Sequence, residues 1–588
     1  MQNVQVIEKP AKTVPSPDVG VPDVVLEVQN LQTLFGQGEK QVRAVDDVSF
    51  RLKRGQTLCI VGESGSGKSV TARSILQIVG RPGRITGGRI LYHGRKGTVD
   101  IAALDPRSKA IREIRGAEIA MIFQEPMTSL SPVHTVGRQI MEAILLHEKV
   151  SKKEARTRAI ELLKKVEIPN PQTAIDRYTF EFSGGMRQRA MIAMALACRP
   201  EILIADEPTT ALDVTTQAEI LALIKGLQVE LGMAVMFITH DMGVVAEIAD
   251  EVAVMYRGKL LEFGPVDQIF YHPEHDYTAK LIDSVRRLES SARKARGMVV
   301  GTTKILDVSG LSKTYGGKKG LFKRSTSAAV HAVDDVSLEL FEGENLGIVG
   351  ESGSGKSTLG NCLIRVHEAS SGSIRYVKRD GETVDLASLG HGALRPVHRE
   401  LRMVFQDPFA SLNPRLTVGQ IVGEPLLVNG IAKGNELRNR VGKLLELVGL
   451  PGSVMERYPH AFSGGQRQRI GIARALALDP RLIIADEATS ALDVTLRSQI
   501  LDLLLDLQDR LSLSYILISH DLGVIRYFCD RVAVMYRGRI VETGPTEKIS
   551  TNPDHDYTKA LLSAAPGTHP GAKRIMHRHR YVAEAALA

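Results

Sequence analysis

A chain of 588 residues is longer than one hydrophobic core usually serves, which sets the expectation at two or more domains. An apolar share of 43% and a charged share of 24% exclude a collagen-like or wholly disordered protein. The net charge of +8 suits anionic partners without selecting one. Cys59, Cys198, Cys362 and Cys529 are scattered and form no CxxC pair, which argues against a disulfide framework or zinc knuckle and for a reducing compartment. No apolar run approaches the roughly 18–20 residues that cross a bilayer.

Residues 1–22 hold three prolines before Val21 and no apolar signal core, and read as a flexible tail. The remainder of the chain is one module written twice. GESGSGKS at residues 62–69 returns 288 residues later at 350–357. FSGG, IADE, MYRG and HDYT each return after 280 residues. The extra eight residues enter in the basic stretch after Tyr315. The expected organisation is a domain over 23–285, a polar linker over 286–303, a second domain over 304–566 and a basic tail over 567–588.

Within each module the order is strand, glycine loop, helix, then further apolar runs separated by a helix. TLCIV at 57–61 leads into a helical stretch over 68–79. Runs at 202–205 and 234–239 have the composition of strands buried on both faces, with a helix over 214–231 between them and residues 190–198 reading as a buried helix. That order predicts a parallel sheet covered on both sides, with ligands at the carboxyl ends of its strands.

Residues 62–69 match the phosphate loop GxxxxGK[ST]. Gly62, Gly65 and Gly67 let the backbone amides, Ser64 among them, turn toward phosphate; Lys68 supplies charge, and the Ser69 hydroxyl can ligate Mg²⁺. Gly350, Ser352, Gly353, Gly355, Lys356 and Ser357 repeat the set. The strand before Asp206 and Glu207 ends in two acids, as Asp486 and Glu487 do again. Unpaired buried charge is costly, so the pair reads as functional: Asp206 and Asp486 toward Mg²⁺, Glu207 and Glu487 as general bases. Ser183 with Gly184 and Gly185, and Ser463 with Gly464 and Gly465, are good starts for the helices after them.

Phosphate loop, SGGQ-type signature, ADE strand, ALD turn and a histidine after a strand, in that order, resemble the ATP-binding subunits of ABC transporters. The resemblance covers nearly the whole chain twice. It implies an α/β fold of two tandem nucleotide-binding domains, each a RecA-like parallel-sheet core with a small antiparallel β subdomain and a helical signature subdomain. It implies ATP and Mg²⁺ as cofactors, ATP hydrolysis as the activity, and head-to-tail pairing in which each ATP lies between one loop and the other module's signature. Gln124 and Gln406 match the glutamine that reaches Mg²⁺ and water, His240 and His520 the switch histidine, and Asp213 and Asp493 the aspartate that communicates across the pair. Phe35 and Tyr315 match the aromatic that stacks on adenine. The first signature departs from the pattern: Met186 stands where the second has Gln466. In a trans arrangement that difference falls in the site built on Lys356, and the presence of both glutamates predicts two competent sites.

QEPMTSLSP and QDPFASLNP after the glutamines, and HPEHDYT and NPDHDYT near each module's end, resemble the importers of dipeptides, oligopeptides, glutathione and nickel. Asp276 and Asp556 replace the usual proline there, and the cysteine cluster of some relatives is missing. The resemblance implies a peripheral protein on the cytoplasmic face of the plasma membrane, two separate permeases and an extracytoplasmic solute-binding protein. Nucleic acid is not expected. The rival reading is a soluble twin-module ATPase acting on ribosomes or nucleic acid, which suits the basic charge but not the peptide-importer segments. His577 and His579 in the tail read as part of a solvated basic stretch.

Overall fold

The computed structural model describes residues 23–38, 41–125, 129–210, 212–288, 291, 300–316, 329–407, 411–490, 492–579 and 581. The expected tail over 1–22, much of the 286–303 linker, the centres of the QEPMTSLSP and QDPFASLNP segments and the His577 side chain lie outside the described residues and side chains. The described residues group into two units. Unit 1 takes the residues up to Leu212, Thr216–Asp283 and Pro566–His577; unit 2 takes Asp213–Thr215, Ser284–Ala565 and Arg578 onward.

Unit 1 is built on two sheets. The strands Val24–Phe35 and Val42–Lys53 pair antiparallel, with Arg84–Gly94 and Gly97–Asp100 completing a four-stranded sheet. Val25, Leu26, Val28 and Leu31 turn into a core shared with Ile60, Ile204 and Met236 of the second sheet. That second sheet orders Lys259–Pro265, Glu251–Tyr256, Thr57–Val61, Ala234–Thr239, Ile202–Asp206 and Ile119–Ile122. Five of its strands are parallel, and only the Lys259–Pro265 edge runs the other way. Thr57–Val61, Ile202–Asp206 and Ala234–Thr239 are buried along their whole length, as the largely apolar runs of interior parallel strands are. Helices Val136–His147, Lys152–Lys165 and Gly184–Ala195 pack together as a helical layer.

The helix after the phosphate loop spans Lys68–Ile75 and stops short of the expected residue 79. The backbone closes it there, with Gln77 N–H on Ser74 O and Ile78 N–H on Arg73 O, both at 2.9 Å, and Arg115 satisfies the carbonyls beyond, its Nε donating to Leu76 O at 2.7 Å and its Nη2 to Gln77 O at 2.9 Å. Gln77 itself turns left-handed at φ 51°.

The last element of unit 1 comes from the far end of the chain. The Glu247 carboxylate, 4% exposed, accepts the backbone N–H groups of Gly567 at 3.2 Å, Arg574 at 3.1 Å and Ile575 at 3.2 Å. Residues 567–577, read from sequence as the start of a solvated tail, are thus tied down by a buried acid.

Unit 2 repeats the plan. Its antiparallel sheet orders Val330–Phe341, Lys304–Tyr315, Ser371–Val377 and Thr383–Asp385. Its six-stranded sheet orders Leu401–Val404, Leu482–Asp486, Ser514–Ser519, Asn345–Val349, Arg531–Tyr536 and Arg539–Pro545. Helices Val418–Val428, Gly434–Leu447 and Gly464–Leu476 form its helical layer. No helix among the described residues is long and apolar enough to cross a membrane.

Candidate nucleotide site

In each unit the phosphate loop leaves the carboxyl end of one parallel strand, and the paired acids end another, with a third strand between them. The histidine comes directly after that intervening strand. Three chain segments far apart in sequence therefore meet along one edge of the sheet.

The loop's glycines answer to close packing. A Cβ on Gly62 would stand 2.1 Å from Met255 O, and one on Gly350 2.1 Å from Met535 O, so no side chain fits at either. Gly67, at φ 100°, faces Ala44 O at 2.3 Å in the same way. Lys68 is 4% exposed, and its Nζ donates to Gly62 O at 2.7 Å and Glu63 O at 2.9 Å. Lys356 donates to Gly350 O at 2.7 Å and Glu351 O at 2.8 Å. Burial holds the Lys356 ammonium below its ordinary pKa, against the opposing charge of Glu487.

Asp206 is fully buried at the end of its strand. Ser69 Oγ donates to its Oδ1 at 2.8 Å, and Ser357 Oγ to Asp486 Oδ1 at 3.0 Å. Asp206 Oδ2 is buried with no hydrogen-bond partner. An orphaned carboxylate oxygen beside a hydroxyl is the donor set a hard divalent cation takes, so the residues fit Mg²⁺. Burial pushes the Asp206 carboxyl above its ordinary range, and it pushes Asp486 up to about 6, with the Glu487 charge adding to it.

Glu207 and Glu487 adopt left-handed backbone, at φ 46° and 44°, a region costly for a side-chain-bearing residue. Their N–H groups are held by Ile238 O at 3.0 Å and Ile518 O at 2.9 Å. Each carboxylate is then gripped from two sides. His240 Nδ1 lies 3.3 Å from Glu207 Oε1, while Gln124 Nε2 donates to Oε2 at 2.9 Å. His520 Nδ1 lies 3.2 Å from Glu487 Oε1, and Gln406 Nε2 donates to Oε2 at 2.6 Å. Burial raises the Glu207 carboxyl, but the His240 hydrogen bond and charge, with Thr210 and Lys68, outweigh it and bring the pKa to about 2. Glu487 is lowered by the same histidine pairing.

The signature serines cap their own helices. Ser183 Oγ accepts from Met186 N at 3.3 Å and Ser463 Oγ from Gln466 N at 3.4 Å. Gln466 Oε1 returns the bond to Ser463 N at 3.1 Å, closing a capping box that Met186 cannot form. Gly184, Gly185, Gly464 and Gly465 open the same helices. Asp493 caps the Val494–Leu511 helix through Leu496 N at 3.0 Å, and Asp213 precedes the matching helix Val214–Leu231. Phe35 ends its strand with its ring over Gly83, and Tyr315 ends the matching strand half-exposed, its ring edge-on to His367 at 6.0 Å.

Sequence reading missed several contributors. Thr210 Oγ1 donates to Glu207 Oε2 at 2.9 Å, whereas Ser490 Oγ turns to Glu487 O at 3.0 Å. In unit 2 a cavity of about 770 Å³ beside Gln406 and Asp486 is lined by Arg402, Phe405, Glu424 and Arg474. Unit 1 has Ala120 and Met194 where unit 2 has Arg402 and Arg474.

Within each unit the loop, the strand-end acids, the glutamine and the histidine define a P-loop ATPase, present here in duplicate. The family model described as ABC transporter matches residues 45–210 and 333–490, and the one described as oligopeptide/dipeptide transporter, C-terminal region, matches 261–310 and 541–586. The chain is 50% identical over 572 residues to the glutathione import ATP-binding protein GsiA of Salmonella choleraesuis (strain SC-B67), covering 94% of this chain and 91% of the relative. It is 49% identical over 571 residues to the protein of that name from Escherichia coli (strain K12), with the same coverage. A solved dimeric structure of the ATP-binding cassette MJ0796 with ADP and Pi is 30% identical, covers 41% of this chain and 99% of its own, and has a TM-score of 0.36. The chain belongs to the ABC transporter ATP-binding family, in the branch that carries the oligopeptide/dipeptide C-terminal region. It is an ATP-binding ATPase of that family.

Proposed function

We propose that this chain energises the import of small peptides, of the dipeptide, oligopeptide or glutathione kind, through two separate membrane permeases. The observation that carries the reading is the relationship itself: half of the residues agree with glutathione import ATP-binding proteins across 94% of the chain. The protein sits peripherally on the cytoplasmic face of the plasma membrane, and an extracytoplasmic solute-binding protein delivers the cargo. The cavity beside Gln406 supports a docking groove for a permease loop. The change from Arg402 and Arg474 in unit 2 to Ala120 and Met194 in unit 1 supports two chemically different permeases.

In this reading each phosphate loop receives the ATP phosphates on Lys68, Ser64 and their counterparts Lys356 and Ser352. Phe35 and Tyr315 receive the adenine. Ser69, Asp206 and Gln124, and in the second module Ser357, Asp486 and Gln406, would hold Mg²⁺, which would supply positive charge against the phosphates. Glu207 and Glu487 orient the attacking water and take its proton, a role suited to carboxylates held ionised by histidine. His240 and His520 keep those carboxylates aimed and contact the γ-phosphate. The two modules pair head to tail, with Ser183, Ser463 and their glycine neighbours completing the partner module's site and Asp213 and Asp493 linking the two. Catalysis rests on positioning and charge stabilisation, with no covalent enzyme intermediate.

Affinity purification of the tagged chain from membranes tests the proposal. Recovery of two integral-membrane permeases, with ATP turnover rising on addition of the loaded solute receptor, is the expected result. Recovery of ribosomal RNA in their place overturns it.

A further inference from the structure

The repeated HDYT motif lies outside the phosphate loop in sequence, yet in both units it ends on that loop. Glu262, on the Lys259–Pro265 edge strand and 7% exposed, accepts the N–H groups of Glu274 at 2.9 Å and His275 at 3.2 Å. The His275 ring then caps the Asp276–Arg287 helix by accepting Tyr277 N–H at 3.0 Å. Tyr277 packs on Tyr256 with ring centroids 4.5 Å apart, and its phenol oxygen accepts the Glu63 N–H at 3.2 Å. Unit 2 repeats every step: Glu542 to Asp554 and His555 at 2.8 and 3.1 Å, His555 to Tyr557 at 3.1 Å, and Glu351 N–H to the Tyr557 oxygen at 3.1 Å.

The peptide unit so gripped is the one that matters to the lysine. The Glu63 N–H belongs to the same peptide plane as the Gly62 carbonyl, and that carbonyl receives Lys68 Nζ at 2.7 Å. The Gly350–Glu351 peptide stands in the same relation to Tyr557 and Lys356. A peptide next to glycine rotates with little steric resistance, so its plane needs an outside hold. We propose that Tyr277 and Tyr557 are positioning residues for nucleotide binding: each phenol fixes the peptide whose carbonyl parks the loop lysine. The inference rests on reading residues 62–69 and 350–357 as the phosphate loops.

The two copies differ in enclosure. Tyr557 is 2% exposed and is covered by Tyr581, whose ring lies 5.6 Å away; Tyr277 is half-buried. A phenol shielded from competing water holds the peptide it bonds more firmly than one that water can reach. The loss on removing the hydroxyl is therefore larger in unit 2.

The test uses full-length chains, with one loop disabled so that the other reports alone, and a fluorescent ATP analogue as probe. In a Lys68→Ala chain, Tyr557→Phe weakens binding roughly tenfold, because the released Gly350–Glu351 peptide turns toward water in the empty loop and has to be turned back when nucleotide binds. In a Lys356→Ala chain, Tyr277→Phe weakens it roughly threefold. Phenylalanine keeps the ring packing, so the melting temperature without nucleotide stays unchanged, which separates positioning from a structural role. Unchanged affinity in both phenylalanine variants overturns the proposal. A chain carrying both lysine substitutions that still binds the probe would instead overturn the phosphate-loop reading. Hydrogen exchange on the unmodified protein gives a second measure: protected Glu63 and Glu351 amides support the inference, and freely exchanging ones refute it.

Discussion

His240 Nδ1 stands 3.3 Å from Glu207 Oε1, and the same pair recurs at 3.2 Å between His520 and Glu487. Both glutamates have left-handed backbone, while the aspartate before each accepts a serine hydroxyl, from Ser69 or Ser357. One acid of each pair is thus committed to serine and the other to histidine and glutamine, although they are adjacent in sequence.

Because both modules keep this arrangement, two working sites are expected. Glu207→Gln and Glu487→Gln should each cut steady-state ATP turnover at least about in half, and the double variant should lose on the order of 10²–10⁴-fold, the usual span for a general base. Turnover left unchanged by either single substitution would show that only one module hydrolyses.

Asp486 sets a pH dependence of stability. Its folded pKa is raised to about 6, chiefly by burial, so the folded state holds this proton more tightly than the unfolded chain. The penalty for ionising it is absent below about pH 4, grows as pH rises toward 6 and is complete above. Asp486→Asn should therefore stabilise unit 2 without nucleotide at pH 7.5, by roughly 2–3 kcal/mol at most, and bring no gain near pH 4. Melting curves at the two pH values measure the difference; equal gains at both would contradict it.

The signature helices should differ in stability at their starts. Ser463 and Gln466 satisfy each other's backbone N–H groups, whereas Met186 leaves the Ser183 N–H without that return bond. Met186→Gln should add about 0.5–1 kcal/mol to unit 1 and Gln466→Met remove a similar amount from unit 2. Urea unfolding of the two variants checks the opposite signs.

Glu247 should govern the end of the chain. Alanine there strands three backbone N–H groups, those of Gly567 and Ile575 buried and that of Arg574 partly so, and should free residues 566–577, at a cost on the order of 2–3 kcal/mol. Limited proteolysis with mass mapping reads this directly: cleavage between Pro566 and His577 should become fast in Glu247→Ala and stay slow in the unmodified protein.

Much of this site was readable along the chain because its parts are short local patterns. A glycine loop after a strand, two acids at a strand end and a histidine after another strand each announce themselves within a few residues. The interior strands were equally plain, since Thr57–Val61 and Ala234–Thr239 are apolar except for one terminal threonine each and buried without a break. Other features had no local sign. The first loop helix ends at Ile75, where Gln77 turns left-handed, and the carbonyls beyond that end are taken by Arg115 from 38 and 39 residues away. Thr210 and Ser490 occupy matching positions, yet one hydroxyl serves the glutamate side chain and the other the glutamate backbone.

From residue order alone came the duplication, the parallel-sheet modules and the kinds of groups that would face a nucleotide, because periodicity and spacing act over one or two turns of chain. Tertiary structure decided which of those groups share a hydrogen bond, and what lies behind them. The Tyr277 phenol reaches Glu63 across 214 residues of sequence, and Glu247 holds Gly567 across 320. Such contacts are made only after the sheet has brought distant segments to one edge, and a backbone N–H that any residue could supply leaves no mark in the sequence to foretell its partner.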